Sequence, residues 1–411
     1  MADRNEKREL NKKRLRENLI DSEDEVEVRK RRNPAVILLL ILLFLGIAGA
    51  AVWYVKASTA CSGDYETVWE KEMPGTGAAL TYRGFRHFRD GLITFTKDGA
   101  EYTDGQGNTV WQKSYQMNNP VCSVNGDYAV VIDRGGTTGC IFSGEQTTGE
   151  IASVLPLSEA QISGKGVTYA VLNDSDSDFI SVYRKDGTEL DITVKSVVDG
   201  DGYPFSIGVD PTGSQLVTSY VSVGDGSVTG SVVFRNFGEV GQNQDGRRVV
   251  GGFIDEFAGH IVTKVGFADE EHAHAWYDGG VVFFSTKVLN QPEILKNVAF
   301  EDEMLSVAEA KSHVAVILDQ TGKEKPKRLE IYDQSGNLKG SAEFDVSYQG
   351  FEINEKTVVI WSPDHILAYD LRGRLIADLT YDGRILAVTG TDRLRELIVS
   401  ESGRICRIRG L

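Results

Sequence analysis

The sequence of 411 residues predicts an all-β fold, a single eight-bladed β-propeller with a seven-bladed ring as the alternative, preceded by one transmembrane α-helix. The first observation is that short alternating runs rich in Val, Ile, Tyr and Thr, separated by turns with Gly and Asp, fill the chain after residue 56. The second is that similar units recur about every 44 residues, a spacing typical of propeller blades. The third is one uncharged apolar run near the N-terminus.

The composition agrees with a folded chain that is rich in tight turns. Hydrophobic residues make up 41% and charged residues 25%, which excludes disorder throughout the chain. Gly is abundant, with 44 residues against 9 Pro, as expected where many strands are joined by turns. Four Cys in a chain of this length exclude a fold that depends on a disulfide scaffold.

The apolar run extends from Ala35 to Val55 without a charged residue. A helix of this length is about 30 Å long, the thickness of the hydrocarbon core of a bilayer. Because four basic residues, Arg29 to Arg32, precede the run and only Lys56 directly follows it, the positive-inside rule places the N-terminus in the cytoplasm of a single-pass cell-membrane protein. A cleaved signal peptide, the alternative, has a shorter leader and a shorter apolar run. The predicted domains are a cytoplasmic basic tail, a transmembrane helix and an extracytoplasmic propeller, over residues 1–33, 34–56 and 57–411.

Charge is distributed unevenly along the chain. Residues 1–33 contain 11 basic and 9 acidic residues, a net charge of +2, so the rest of the chain has a net charge of −18 within the total of −16. An outer domain so acidic repels nucleic acid and anionic polymers, but it permits cationic peptides, metal ions or a basic protein. Within the tail, we expect a helix from Arg4 to Leu19 and a solvated acidic block from Asp21 to Glu27.

Each predicted blade is marked by the first apolar residue after a turn. The eight positions, 37 to 50 residues apart, are Trp69, Trp111, Ile151, Leu190, Val240, Val288, Leu338 and Leu375. If one of the two middle repeats, at Val240 or Val288, is an insertion, the ring has seven blades. Turns such as Asp186-Gly187 suit this pattern, because Gly adopts φ > 0 without steric cost and Asp accepts hydrogen bonds from its own turn.

The two ends of the propeller are predicted to share one blade. Trp69 lies in a strand over 64–72 that has no partner strand before it, whereas the last part of the chain supplies only three strands. These three strands are predicted from Ile385 to Thr389, from Leu394 to Ser400 and from Arg404 to Ile408. Pairing the first strand with this last sheet would close the ring and cover edges that otherwise promote aggregation.

The run from Tyr102 to Trp111, with its Asp and Gly turn, resembles the repeat of pyrroloquinoline-quinone-type and WD40-like propellers, in which the Trp docks between neighbouring blades. The whole plan of basic tail, one helix and outward ring is similar to uncharacterised membrane-anchored β-propeller proteins of Gram-positive bacteria. This resemblance implies a fold but no chemistry. The docking Trp occurs only at Trp69 and Trp111, and the other repeats have Ile, Leu or Val, which departs from the quinoprotein pattern.

Four short patterns are candidates for chemistry, and an ordinary structural role is favoured for each. His272 and His274 would lie on one side of a strand, as two metal ligands do, although their polar surroundings favour an exposed loop. The acidic run from Asn173 to Asp178 resembles the start of a calcium loop but lacks the Gly and Glu of an EF-hand. The Asp-Gly-Asp-Gly sequence at 199–202 is typical of a turn between blades.

The fourth pattern, from Tyr82 to Arg89, combines basic and aromatic residues within an acidic domain. Such a stretch can bind an anion or a polysaccharide. If it is an ordinary strand, Phe85 and His87 lie on one face and Arg86 and Phe88 on the other.

The four cysteines, Cys61, Cys122, Cys140 and Cys406, allow three full disulfide pairings. Cys122 and Cys140 are predicted on the first and third strands of one blade, about 10 Å apart, which is too far for a disulfide. Cys61 and Cys406 both belong to the closing blade, so a disulfide between them is the alternative to buried free thiols.

No catalytic, cofactor-binding or metal-binding residue is assigned from the sequence. It has no nucleotide-binding P-loop, no Gly-x-Ser-x-Gly elbow and no His-Glu-x-x-His motif. We therefore expect a membrane-anchored propeller that acts as a non-catalytic binding or scaffolding module for a protein or peptide ligand at the propeller face, without cofactor or nucleic acid. The alternative is a quinone-cofactor oxidoreductase or a carbohydrate-active enzyme that uses the mouth of the central channel.

Overall fold

The computed structural model describes residues 3–20, 39, 42–47, 60–73, 83–224, 226–242 and 247–411. It divides into two compact units, Met1–Thr59 and Ala60–Leu411. In the first unit, helix α1 (Asp3–Ile20) covers the predicted tail helix, and residues 39 and 42–47 are helical. No helix within the described ranges is both long and apolar enough to cross a membrane. Most of the predicted transmembrane segment and the acidic block of the tail lie outside the described residues.

The second unit consists of eight four-stranded antiparallel sheets, the blades of a propeller, one of them extended by a fifth strand. The N-terminal strands are β1 (Cys61–Gly63) and β2 (Tyr65–Glu72). Blades 1 and 2 contain β3 (Arg83–Phe88), β4 (Gly91–Thr96), β5 (Gly99–Thr103), β6 (Thr109–Ser114), and β7 (Pro120–Asn125), β8 (Tyr128–Asp133), β9 (Thr138–Ser143), β10 (Thr147–Ala152). Blades 3 and 4 contain β11 (Leu157–Ile162), β12 (Thr168–Asn173), β13 (Ser177–Tyr183), β14 (Glu189–Val197), and β15 (Tyr203–Val209), β16 (Gln215–Gly224), β17 (Ser227–Asn236), β18 (Val249–Phe253).

Blades 5 and 6 contain β19 (Val262–Phe267), β20 (His272–Tyr277), β21 (Gly280–Ser285), β22 (Glu293–Ala299), and β23 (Met304–Glu309), β24 (His313–Asp319), β25 (Lys327–Asp333), β26 (Leu338–Phe344). Blades 7 and 8 contain β27 (Gly350–Ile353), β28 (Thr357–Trp361), β29 (His365–Asp370), β30 (Leu375–Thr380), and β31 (Ala387–Gly390), β32 (Glu396–Ser400), β33 (Arg404–Gly410). Short helical segments between strands are α2 (Val198–Asp201), α3 (Glu239–Gln242) and a 3₁₀ turn, Asp255–Phe257. The predicted all-β, eight-bladed propeller is confirmed, and the seven-bladed alternative is wrong.

The middle strands of the blades are buried on both faces. β8 and β24 have nearly continuous apolar sequences, YAVVID and HVAVILD, because each blade is covered by a neighbour on both sides. Trp276 and Phe283 of blade 5, for example, share one buried cluster with Val316 and Leu318 of blade 6. Outer strands such as β14 instead alternate between exposed and covered residues. The hydrophobic core is therefore a series of layers between adjacent blades.

Blade 8 is completed by the N-terminal strand. β2 pairs antiparallel with β33, so that Tyr65 lies opposite Gly410 and Trp69 opposite Arg407. β1 adds a further, parallel strand to the outer edge of blade 7, with Cys61 opposite Ala377, which the sequence did not predict. In the part of the chain that the structure describes, each of the eight blades therefore has its outer strand.

Six of the eight positions used to count blades lie in outer strands of the sheets. These are Trp69, Trp111, Ile151, Leu190, Leu338 and Leu375. Val240 instead lies in α3, and Val288 lies in the loop before β22, so the register was wrong in both repeats. The reason is that blades 4 and 5 have long connections between their third and fourth strands, which displace the outer strand from the position expected from the period.

The two repeat tryptophans each connect one blade to the next. The indole Nε1 of Trp69, in blade 8, donates to the carbonyl oxygen of Gly105 in blade 1 at 3.0 Å. Likewise, Nε1 of Trp111 in blade 1 donates to Ser143 of blade 2 at 3.0 Å. The Trp111 ring also stacks on Phe142, with 4.5 Å between centroids and 5° between planes. Both residues thus dock between blades, as the resemblance implied for this position.

A second connection between blades uses the glycine of the predicted turn. Gly187 has φ of +83°, and a Cβ at this position would lie 2.1 Å from the carbonyl oxygen of Glu150, in the outer strand of the preceding blade. Asp186 Oδ1 accepts from the backbone N–H of Thr188 at 2.9 Å, the turn chemistry expected from the sequence. The Gly is thus required by both its backbone conformation and the close approach of two blades.

Gly187→Ala is expected to destabilise the propeller by about 2–3 kcal/mol, because it combines an unfavourable φ with a clash between blades. Gly135→Ala is the matched control: its φ is +85°, but no atom lies within 4 Å of the added Cβ. That control is expected to cost only about 1 kcal/mol. Urea denaturation measures both values, and equal losses would contradict the inter-blade role.

All four cysteines are free and buried, so the alternative of a disulfide between Cys61 and Cys406 is wrong. Cys122 and Cys140 lie on β7 and β9, the first and third strands of blade 2, as predicted. Burial raises the pKa of Cys122 to about 12 and that of Cys140 to about 11. These thiols are therefore poor nucleophiles at neutral pH.

Candidate functional site

The first strand of each blade is innermost, and these strands surround a central channel. The channel contains a cavity of about 660 Å³, lined by residues of blades 1, 5, 6, 7 and 8. Its walls include the apolar side chains of Phe85, Phe351, Trp361 and Val388. Four charged side chains, Arg86, Lys264, Glu309 and Glu352, also line it. A concave site that combines apolar walls with a few charged groups is typical of ligand-binding pockets.

Arg86 belongs to the basic and aromatic stretch singled out in the sequence. β3 is an ordinary strand with the predicted alternation: Phe88 packs towards Cys122 of blade 2, and Phe85 towards Ile398 of blade 8. The Arg86 side chain lines the cavity, where its Nη1 donates to the carbonyl oxygen of Phe85 at 2.9 Å. Burial lowers the pKa of the neighbouring His87 below its ordinary value. Tyr82 lies outside the described residues.

Glu309 connects blades 5 and 6 through its contacts with Lys264 and His274. Lys264 Nζ lies 2.7 Å from Glu309 Oε2, and His274 Nε2 lies 2.9 Å from Glu309 Oε1. Burial alone would raise the pKa of the Glu309 carboxyl, but Lys264 and His274 together hold it well below its usual range. Glu309 is therefore a carboxylate at neutral pH, with both oxygens paired.

Glu352 is held differently from Glu309, although both line the cavity. Its Oε1 accepts a hydrogen bond from Thr389 Oγ1 at 3.0 Å. Burial raises the pKa of Glu352 to about 7, against the weaker opposing effects of that hydrogen bond and of the Arg86 charge. The carboxyl is thus divided between its neutral and ionised forms near neutral pH.

A third glutamate lies on the inner strand of blade 3. Burial also raises the pKa of Glu159 to about 7. Glu159 accepts from Gln161 Nε2 at 3.3 Å, and Gln161 in turn accepts from Ser123 Oγ of blade 2 at 2.7 Å. Three inner strands thus place one glutamate each along the channel, in three different electrostatic environments.

Glu352→Gln is expected to increase stability by less than about 1 kcal/mol at pH 5 and by about 2–3 kcal/mol at pH 9. The sign follows because the folded-state pKa is raised: the wild type loses stability as pH rises from the ordinary glutamate value through about 7, and glutamine cannot ionise. The amide oxygen can still accept from Thr389. Urea unfolding at the two pH values measures the effect, and an equal stabilisation at pH 5 and pH 9 would contradict it.

The other sequence candidates lie outside the cavity or are used by the fold. His272 and His274 lie on β20, a strand rather than the exposed loop that was favoured, and His272 Nδ1 pairs with Asp269 at 2.9 Å. His274 is committed to Glu309. Across the residues described, no group of three or more His, Cys, Asp or Glu is arranged to hold a metal ion.

The two acidic patterns occupy turns. Asn173 and Asp178 lie at the ends of the hairpin between β12 and β13, and Asn173 Nδ2 donates to the buried Asp178 Oδ1 at 2.7 Å. The first three residues of the Asp-Gly-Asp-Gly sequence lie in α2, between blades 3 and 4, where Asp201 pairs with Arg247 at 3.2 Å. Both features therefore have local structural roles.

Among the described strands, the longest belong to blade 4, and the extended end of this blade has exposed apolar side chains. β16 and β17 are 10 residues each and form a hairpin whose Val223 is 74% exposed. Tyr203 and Phe205, at the start of β15 on the same end of the blade, are each 54% exposed. Exposed aromatic residues are enriched at protein–protein interfaces.

Solved structures with this fold share little sequence with the chain. Sqt1 from Chaetomium thermophilum is 12% identical with a TM-score of 0.55, over 85% of this chain and 99% of that chain. The same protein bound to the N-terminus of the ribosomal protein L10 is 12% identical with a TM-score of 0.50, over 80% and 92%. Hsv2p of Kluyveromyces lactis is 11% identical with a TM-score of 0.47, over 74% and 97%.

Comparison with curated proteins finds no match. By sequence, residues 61–409 match the model of a protein family. This range begins at β1 and ends within β33. The chain therefore belongs to DUF5711, a family of unknown function.

Proposed function

We propose that the protein is a membrane-anchored, extracytoplasmic binding module, without catalysis of its own, whose ligands are proteins or peptides. The observation that carries the proposal is the central cavity, which five blades line and to which four of them supply a charged side chain. Glu309 contacts both Lys264 and His274, so it is a structural carboxylate rather than a free nucleophile. A rigid ring with one such cavity is suited to binding.

The membrane part of the proposal is supported by the sequence. The uncharged run from Ala35 to Val55 is long enough to span a bilayer, and Arg29 to Arg32 precede it. This is the plan of the Gram-positive membrane-anchored propellers that the chain resembles. In intact cells, a membrane-impermeant reagent is expected to label a tag at the C-terminus; protection of the tag would reject the orientation.

The choice of a protein or peptide ligand is supported by the exposed apolar end of blade 4. Tyr203 and Phe205 present large aromatic surfaces that a partner can cover. A propeller of this fold, Sqt1, has been solved with the N-terminus of a ribosomal protein bound. The net charge of −18 outside the tail favours a basic partner.

The test is affinity capture from the native envelope with residues 57–411 as bait. We expect saturable capture of the same partner in replicate experiments, and its loss when Tyr203 and Phe205 are both replaced by alanine. Val154→Ala, at a fully exposed position elsewhere, is the control and is expected to have no effect. Capture that is unchanged by the double substitution would exclude the blade 4 surface, and no specific capture would reject the binding function.

A second candidate, a carbohydrate-active hydrolase, is favoured by one observation. The cavity contains two carboxyl groups whose pKa values are shifted in opposite directions, lowered for Glu309 and raised to about 7 for Glu352. In glycosidases, such a difference in pKa distinguishes the general acid from the second carboxylate. Hydrolysis of cell-wall polysaccharide that is abolished by Glu352→Gln would support this candidate; the absence of product with the wild type would exclude it for that substrate.

A further inference from the structure

Arg86 is a basic residue that lines the channel of an acidic domain. Its guanidinium lines the channel cavity and donates to one backbone carbonyl, that of Phe85. Among the residues described, no carboxylate lies within ion-pair distance of it. A guanidinium has five N–H donors in a planar fork that matches a carboxylate. Most of its donors are therefore available to a ligand that enters the cavity.

Glu352 provides the opposite charge in the same cavity. Its Oε1 accepts from Thr389, and no basic group of the described chain forms an ion pair with it. Arg86 and Glu352 nevertheless line the same cavity. An arginine and a glutamate that line one cavity without pairing give it a positive and a negative wall.

The rest of the cavity sets the size and polarity of what fits in that gap. Phe85, Phe351, Trp361 and Val388 line it with apolar surface. Its volume of about 660 Å³ lies within the roughly 300–1,000 Å³ of ordinary ligand pockets. A ligand of a few residues, with charged ends and an uncharged middle, matches this arrangement.

We infer that the central cavity binds a zwitterionic, peptide-like ligand, with its carboxylate against Arg86 and its ammonium group against Glu352. This inference rests on the proposed binding function and names a class of ligand for the channel. The carboxylate would form a bidentate pair with the guanidinium. The ammonium group would complete the hydrogen bonding of the Glu352 carboxylate, while the apolar walls contact the side chains.

The inference is tested by isothermal titration of the full chain, in detergent micelles, with trialanine that has free ends. We expect binding in the micromolar to low millimolar range, weakened roughly tenfold to a hundredfold by Arg86→Gln and by Glu352→Gln. The matched controls, Arg184→Gln and Glu343→Gln, change exposed residues of a turn and an outer strand and are expected to bind as the wild type does. N-acetylated trialanine and C-amidated trialanine should each bind with an affinity that is lower by a similar factor.

Free alanine distinguishes the two sources of this chemistry. Tighter binding of trialanine identifies a short peptide, whereas equal binding identifies a free amino acid, and both agree with a zwitterionic ligand. No heat of binding at about 10 mM for either probe, or equal affinity for the capped peptides, would overturn the inference. If the affinity capture described above still yields a partner, the binding function stands and only the channel ligand is rejected.

Discussion

Glu396→Ala is expected to reduce the free energy of unfolding of the propeller by about 3–5 kcal/mol. Glu396 is buried on β32, in the blade that closes the ring. Its Oε1 accepts from Arg393 at 3.0 Å and from Arg409 at 2.7 Å, and its Oε2 accepts from Arg407 at 2.8 Å. Alanine would leave three guanidinium groups without this common acceptor. The effect is large because Arg407 is itself buried.

The same cluster also connects blade 8 to blade 1. Arg407 Nη1 donates to the carbonyl oxygen of Gly105, which also accepts from the Trp69 indole. Removal of the carboxylate therefore weakens the contact on which ring closure depends. Although burial opposes it, the three arginines lower the pKa of Glu396, so this stabilisation is lost as pH falls through the lowered value.

Urea denaturation measures the loss, with Glu66→Ala as the matched control. Glu66 also pairs with Arg409, at 2.7 Å, but its side chain is about half exposed. An exposed ion pair contributes less than about 1 kcal/mol, so the control should unfold nearly as the wild type does. Similar losses for the two variants would show that burial of Glu396 does not set the size of the effect.

Trp111→Ala is expected to cost about 3–5 kcal/mol, the range for removal of a large buried aromatic residue. The indole lies between blades 1 and 2, where it stacks on Phe142 and donates to Ser143. Alanine would leave a cavity between the blades and a carbonyl oxygen that has lost a donor. Thermal and urea unfolding both report the change.

Trp111→Phe separates the two contributions of the indole. Phenylalanine retains a ring that can stack on Phe142 but has no N–H for Ser143, so we expect a loss of about 1–2 kcal/mol. If Phe and Ala at this position were equally destabilising, the stacking would contribute nothing, contrary to the geometry.

Much of the fold could be predicted because the relevant signals are local. The turn at Asp186 and Gly187 and the tryptophans at the ends of two repeats depend on residues close together in the sequence, and each was found where expected. The predicted repeat gave the wrong positions at Val240 and Val288, because the long connections in blades 4 and 5 change the spacing between outer strands. The added strand β1 was missed because three residues carry too little pattern.

The candidate site could be predicted only in part. The basic stretch at β3 stood out because it lies within an acidic domain, and it supplies Arg86. Glu309 and Glu352 gave no such signal, since single glutamates among many acidic residues are ordinary in sequence. They become informative only when the order of strands places each on the innermost strand of its blade. That placement depends on the ring, which no short window of sequence contains.

The pairing of β2 with β33 has a consequence for protein synthesis. Glu70 and Arg404 are joined by an ion pair although they are 334 residues apart in the chain. At about 5–20 residues per second, a ribosome needs roughly 20 to 70 seconds to make the intervening polypeptide. During that interval β2 cannot pair with β33, so closure of the propeller must wait until β33 has been synthesised.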